Sequence, residues 1–381
     1  MSKTQKIVWW TLGAVVVVGL VAWGVFRNSG SSNVIKIGSI EPLTGGAAVY
    51  GQPVQDTIEL AVAQINAAGG INGKQVQMIY EDGKCDGTDG ANAAQKLVNV
   101  DGVQAIIGGF CSGETIPAVP IAAAGKVVML SPGASSPALT GISPYFFRDY
   151  PSDAFQATVM GNIAYNQKGW RTVAVMEEQT DYGTALTNAF SKSFEGYGGK
   201  VIVQAFPSAT ADLRSFLTTL KAQQPDALFI VTQTPAVSDD LFDQLIQLGW
   251  RPPLLIGDII SGDPAIIQKY SSQLEGAIGA TFLPNASDTA YEAFINAYQA
   301  KYGGVPPYQN YMACVFDAVN LLAAGIKQVG YDGAALATWS RTVSNWPGAS
   351  GNITIGSDGD RAGGDVPIVI HGAQVVPYVA Q

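Results

Sequence analysis

The chain has 381 residues, with 21 Lys+Arg against 30 Asp+Glu for a net charge of −9. That acidic balance argues against nucleic acid or an anionic membrane face as partner, and 47% hydrophobic content with only 13% charged residues excludes a disordered chain. A single histidine and three cysteines without paired spacing leave no transition-metal site and no cofactor motif.

The first 33 residues differ from the rest. Lys3 and Lys6 precede an apolar run over residues 7–26, a length of about 20 residues that spans a bilayer core. Trp9, Trp10 and Trp23 lie near its ends, and the two lysines favour a cytoplasmic N-terminus. No small-x-small cleavage site comes after the run, so the expectation is an uncleaved single-pass anchor with the remainder outside the cytoplasm. A cleaved signal peptide is the alternative. Residues 28–33 are a linker of Asn, Ser and Gly, and the stretch from residue 34 to 381 is too long for one core, which predicts two lobes.

Residues 34–40 are a β-branched apolar run that reads as a buried strand ending in a Gly/Pro/Thr loop. Ile58, Val62 and Ile65 then recur at helical spacing, with Gly69 and Gly70 as the stop. Residues 75–80 alternate like a second strand. A helix over 88–99, a strand over 104–107, a helix after Ser112 and a strand over 127–130 come next. Such alternation builds a parallel sheet, and small ligands bind at the carboxyl ends of its strands. Residues 147–153 read as a crossing, because Pro151 and Ser152 open a new helix through Tyr165. Strands over 172–176, 201–205, 227–231 and 254–256, with helices between, predict a second doubly wound sheet. A strand over 276–282, helices over 289–302 and 310–326, and a strand pattern over 366–370 complete the series.

Two loops carry the chemistry a ligand needs. Residues 108–113 (Gly-Gly-Phe-Cys-Ser-Gly) lie between a strand and a helix, where free N–H groups and the Ser112 hydroxyl can receive a carboxylate. Residues 131–136 (Ser-Pro-Gly-Ala-Ser-Ser) repeat the arrangement after the next strand and offer Ser135 and Ser136. The plainer reading of each loop is a strand-to-helix turn with a capping serine.

Residues 37–51 (Ile-Gly-Ser-Ile-Glu-Pro-Leu-Thr-Gly-Gly-Ala-Ala-Val-Tyr-Gly), 61–73 (Ala-Val-Ala-Gln-Ile-Asn-Ala-Ala-Gly-Gly-Ile-Asn-Gly), 80–85 (Tyr-Glu-Asp-Gly-Lys-Cys) and 351–360 (Gly-Asn-Ile-Thr-Ile-Gly-Ser-Asp-Gly-Asp) resemble, in that order, segments of the type I periplasmic binding proteins of the leucine/isoleucine/valine-binding family. The resemblance covers nearly everything after the linker. It implies an α/β fold of two doubly wound parallel-sheet lobes joined by a multi-crossing hinge, with residues 34–150 and 281–349 in lobe 1 and residues 151–280 and 350–381 in lobe 2. It also implies an interlobe ligand site without catalysis.

By the same resemblance, Ser112, Gly133 and Ser135 hold the α-carboxylate and part of the α-ammonium of an amino acid, and Tyr50, Phe110 and Tyr182 wall the pocket. An ammonium buried without an anion is costly. Asp258, after the strand over 254–256, is the candidate carboxylate, although the family's acidic position falls at Asp258 or Ile259. Thr234 stands where relatives have an aromatic residue. For Asp258 the alternatives are a solvated strand-end carboxylate or a helix cap, and for Tyr182 and Tyr50 an exposed loop tyrosine. Tyr311 and Phe316 are candidates for the first-lobe wall, with core packing, to which their helical spacing points, as the plainer reading. The family often bridges the positions of Cys85 and Cys111, both of which come after strands at one sheet edge. Two buried thiols are the alternative, and Cys314 reads as a free core cysteine.

Gly109-Phe-Cys111-Ser-Gly113 also fits a nucleophile elbow that would use Cys111 with His371. That reading rests on one histidine, placed by the family topology in the other lobe, and a Cys85–Cys111 bridge would consume the thiolate. Asp358, Asp360 and Asp365 lack calcium-loop spacing and read as an Asp/Gly turn. The expectation is a monomeric, membrane-tethered solute-binding component of an ABC importer for an aliphatic amino acid, working with a membrane permease. A ligand sensor built on the same module is the alternative.

Overall fold

The computed structural model describes residues 33–379. The apolar run read as a membrane anchor lies outside them. The first sheet contains β1 (Val34–Glu41), β2 (Gln75–Asp82), β3 (Ala105–Gly108), β4 (Val128–Ser131) and β5 (Phe146–Arg148), parallel throughout and ordered β2-β1-β3-β4-β5. The second contains β6 (Thr172–Glu178), β7 (Lys200–Phe206), β8 (Ala227–Val231), β9 (Leu254–Ile256) and β10 (Ile278–Thr281). It is ordered β14-β13-β10-β9-β8-β6-β7, with β13 (Val366–His371) and β14 (Gln374–Pro377) antiparallel at one edge. A small ribbon of β11 (Trp346–Gly348) and β12 (Gly351–Ile353) stands apart.

The helices between them are α1 (Ala48–Ala67), α2 (Gly87–Lys96), α3 (Ser112–Ala124), α4 (Asp153–Asn162), α5 (Asp181–Gly196), α6 (Arg214–Ala222), α7 (Pro235–Gln247), α8 (Asp258–Ser261), α9 (Pro264–Lys269), α10 (Ser271–Leu274), α11 (Thr289–Tyr302), α12 (Gln309–Val329) and α13 (Gly333–Ser340). Every residue of β3, β4, β8 and β9 is buried, because helices cover both faces of each sheet. This explains why those strands read as unbroken apolar runs. Among the described residues α12 is long and apolar enough to cross a membrane, but most of it is buried against α1, β3 and β4 as a core helix.

The chain passes between the sheets three times: after β5, after β10 and between β12 and β13. The first and third crossings are tied by Arg148, fully buried, which donates from Nε to Asp360 Oδ1 at 2.7 Å and from Nη2 to Asp360 Oδ2 at 2.8 Å. Arg361 adds a hydrogen bond to the Asp149 carbonyl at 2.9 Å and to Ser350 Oγ at 2.7 Å. The Asp/Gly turn over 357–365 is therefore a hinge element, fixed where Asp360 meets arginine.

Two details differ from the sequence reading. Residues 146–148, next to and partly within the expected crossing, pair with β4 as an edge strand too short to show periodicity. The loop over 131–136 leads into a single 3₁₀ turn (Pro137–Leu139) instead of a helix, so only the Ser112 loop presents a true helix N-terminus.

Candidate functional site

The interlobe cleft holds a small cavity of about 30 Å³, room for a water or two. Tyr50, Phe110, Cys111, Ser112, Gly133, Ser135 and Tyr311 line it from the first lobe, and Tyr182, Gln233 and Ile259 from the second.

The first-lobe wall is organised by Glu114, in the first turn of α3. Its Oε1 accepts the N–H of Phe110 at 2.7 Å and of Cys111 at 3.0 Å, and its Oε2 accepts that of Cys85 at 2.9 Å. One buried carboxylate thus satisfies three loop donors beside the N-terminus of α3. Burial pushes Glu114 up to about 7, against the pull of those three bonds. Cys85 and Cys111 are disulfide-bonded, with their Cα atoms 5.1 Å apart, so the bridge ties the β2 and β3 loops. Ser112 Oγ accepts the Ser136 N–H at 3.1 Å, joining the β3 and β4 loops, while Ser135 Oγ donates to Asp153 Oδ2 at 2.9 Å. Gly133 is required by space: a Cβ there would sit 2.8 Å from both the ring and the carbonyl of Phe110. Tyr50 packs between Phe110 and Tyr308, with ring centroids 5.6 and 4.7 Å away.

The second-lobe wall is built on Asp258, which opens α8 directly after β9. It is fully buried, and its carboxylate accepts three tyrosine hydroxyls: Tyr182 at 2.7 Å on Oδ1, and Tyr150 at 2.9 Å and Tyr311 at 2.5 Å on Oδ2. Burial first, then the Asp258 charge, pushes all three phenols well above their ordinary value, so they act as neutral donors. Asp153 is also buried, and the loss of solvent, with Asp258 and Asp365 nearby, pushes its carboxyl well up. Glu178, at the end of β6, accepts the N–H groups of Gln233 at 2.6 Å and Thr234 at 3.3 Å, and burial raises it as well.

Of the residues singled out from sequence, Tyr50, Phe110, Ser112, Gly133, Ser135 and Tyr182 come together around this cavity. Asp258 stands behind its wall, screened by the tyrosines. Ser136 turns away and lines a polar groove with Cys85, Thr180 and Asp181, and Thr234 serves as the N-cap of α7. Tyr311, a wall candidate beside its plainer core reading, lines the pocket, as does Ile259, the alternative to Asp258, whereas Gln233 was not expected there. Gln233 could have been found as the strand-end residue beside Thr234, whereas Tyr311 has the spacing of a core residue and is one as well. No hydrolase constellation forms: the Cys111 sulfur is in the disulfide, and His371 lies exposed on β13 with its Nδ1 2.6 Å from Glu275. No group of three or more potential metal ligands occurs among the described residues.

Two α/β lobes, three crossings and a cavity between them are the architecture of a bilobed binding module. The chain belongs to the periplasmic binding protein family, whose sequence profile matches residues 34–370, and it is a binding protein instead of an enzyme. It is 30% identical over 335 residues to a Leu/Ile/Val-binding protein of Rhizobium johnstonii, covering 86% of this chain and 88% of that one. Its fold matches the crystal structure of a leucine binding protein from Thermotoga maritima with a TM-score of 0.81 at 30% identity, covering 91% of this chain and 98% of the other. A substrate-binding protein of an ABC transporter from Desulfitobacterium hafniense in complex with Leu matches with a TM-score of 0.73 at 26% identity, covering 91% and 100%.

Proposed function

We propose that this chain is the extracytoplasmic substrate-binding component of an ABC importer and captures a branched-chain or other aliphatic amino acid between its lobes. The observation that carries the reading is the polarity of the cavity. The N-terminus of α3 with the Ser112 hydroxyl on one wall suits a carboxylate, and the tyrosine-screened Asp258 on the other suits an ammonium. Tyr50, Phe110 and Ile259 supply an apolar surface for an aliphatic side chain. The names of the Rhizobium, Thermotoga and Desulfitobacterium relatives support the same ligand class.

Hinge closure around a ligand is the motion for which periplasmic binding proteins are the standard example. Only the closed state touches the ligand from both lobes, so binding shifts the population toward it, and the closed form is what a membrane permease would receive. The lobes divide near residues 150 and 281 and again in the segment between β12 and β13. The disulfide fits an oxidising, extracytoplasmic setting, and the run over residues 7–26 would tether the monomer to the membrane. Isothermal titration calorimetry on the full-length chain, stripped of solute by partial unfolding and dialysis, tests the reading. Micromolar or tighter binding of leucine, isoleucine or valine is expected, and silence from every α-amino acid overturns it.

A further inference from the structure

We propose that Asn285, in the second crossing between the lobes, is a site of N-linked glycosylation, an inference that rests on the extracytoplasmic placement above. Asn285-Ala286-Ser287 and Asn352-Ile353-Thr354 are the two Asn-x-Ser/Thr triplets of the chain with x other than proline. Such a triplet is the acceptor for oligosaccharide transfer to asparagine, and it serves where it lies at the surface of a secreted chain.

The fold presents the two triplets differently. Residues 285–287 are exposed throughout, in the loop that joins β10 to α11. The Asn285 side chain closes an Asx turn: its Oδ1 accepts the Ser287 N–H at 3.1 Å, while the Asn285 carbonyl accepts the Asp288 N–H at 2.9 Å. The turn occupies the amide oxygen only. Neither Nδ2 of Asn285 nor the Ser287 hydroxyl has a partner among the described residues, so the nitrogen that must react and the hydroxyl that an acceptor site reads are both free. Asn352, by contrast, lies in β12 opposite Pro347, and its carbonyl accepts Arg361 Nη2 at 3.3 Å. Ile353 is fully buried, and Thr354 Oγ1 accepts the Asn345 N–H at 2.9 Å. That triplet is built into the ribbon and the hinge, and an enzyme could draw it out only by breaking both.

The co-substrate is a lipid-linked oligosaccharide phosphate. Asn285 Nδ2 forms a C–N bond to the anomeric carbon as the C–O bond to phosphate breaks; the lipid phosphate leaves with the bonding pair, and the amide nitrogen gives up one proton. The surroundings give the product a role. The loop is one rim of a largely apolar groove of about 660 Å³, with Leu283, Pro284 and Ala286 on its side and Val305, Pro306 and Pro307 on the other. Leu283 is 41% exposed and Val305 51%, and apolar side chains gathered on one open surface invite association. The groove shares no lining residue with the ligand cavity, so a glycan on Asn285 covers it without entering the ligand site.

Intact-mass and glycopeptide mass spectrometry of the full-length chain, recovered from its own host's membranes, tests this, with protease accessibility in right-side-out vesicles measured alongside. The wild type is expected to carry a glycan at Asn285. Asn352→Gln and Ser287→Thr keep it, whereas Asn285→Gln and Ser287→Ala lose it. A protease-accessible chain without a glycan at Asn285, or with one at Asn352 instead, overturns the assignment while leaving the extracytoplasmic reading intact. A chain protected from protease until the vesicles are opened overturns both.

Discussion

Tyr311 on α12 donates its hydroxyl to Asp258 on α8 at 2.5 Å, and this bond joins the first lobe to the second across the closed cleft. Tyr150, in the first crossing, reaches the same carboxylate oxygen at 2.9 Å and stacks on Tyr311 with ring centroids 4.6 Å apart. The closed state is thus held in part by the protein's own groups. A hydrogen bond to a buried charge contributes about 1.5–3 kcal/mol. Tyr311→Phe is expected to weaken ligand binding by about tenfold or more, mainly through faster dissociation in stopped-flow or surface-plasmon measurements, with little change in the unliganded melting temperature.

The titration of Glu114 predicts a pH dependence with a definite sign. Its folded value is pushed from 4.5 up to about 7 by burial, so between those limits the native state binds more protons than the unfolded chain. The contribution to stability is full below about pH 4.5 and is lost as the pH rises through about 7. At about 1.4 kcal/mol per unit the swing is on the order of 3 kcal/mol. Urea midpoints measured from pH 5 to pH 8 are expected to decline in the wild type and to decline less in Glu114→Gln. Equal slopes in the two proteins would refute the assignment.

Removing the Cys85–Cys111 bridge opens a loop of sequence separation 26. Loop entropy at this length corresponds to about 3–4 kcal/mol. Cys85→Ser with Cys111→Ser is expected to lower the urea midpoint accordingly, and to reduce ligand affinity because the Phe110–Ser112 wall loses its covalent tie. A double variant with unaltered affinity would mean that the hydrogen bonds of Glu114 and Ser112 hold the loop without the bridge.

Arg148 and Asp360 form a buried bidentate pair between the first and third crossings. Breaking such a pair by removing one partner costs about 3–5 kcal/mol, because the other charge is left without compensation. Arg148→Met is expected to lose that much in denaturant unfolding, and the double variant Arg148→Met with Asp360→Leu is expected to recover part of it. No recovery would show that the arginine acts chiefly through its bonds to the Ala134 and Ser136 carbonyls, at 3.2 and 2.9 Å.

The parts of the fold legible in the sequence are those in which local composition and burial agree. The β-branched runs at Val34, Ala227 and Leu254 are strands because helices cover both faces, and the Asp/Gly/Ser clusters between them are turns. β5 and β14 were hidden because three or four residues at a sheet edge carry no period. In the site, Ser112 and Ser135 were legible because each comes in a loop after a recognisable strand, and Tyr50 and Phe110 through the family resemblance. Gln233 was not, and Tyr311 stayed open between wall and core: whether a residue at a strand end or on a helix faces a cleft depends on how two lobes meet, which no local pattern encodes. The choice between Asp258 and Ile259 turned on one residue of register, and in α8 those neighbours point to opposite sides of the same wall.

The antiparallel edge of the second sheet has a consequence for biogenesis. β10 ends at Thr281, yet its outer hydrogen-bonding partner, β13, begins only at Val366, after the chain has returned to the first lobe to lay down α11, α12 and α13. As the polypeptide emerges, β10 waits as an open, apolar edge, the kind of surface that pairs with the wrong neighbour. Translation or export arrested before residue 366 would release a chain whose first lobe is nearly finished and whose second lobe is sticky, a natural client for holding chaperones.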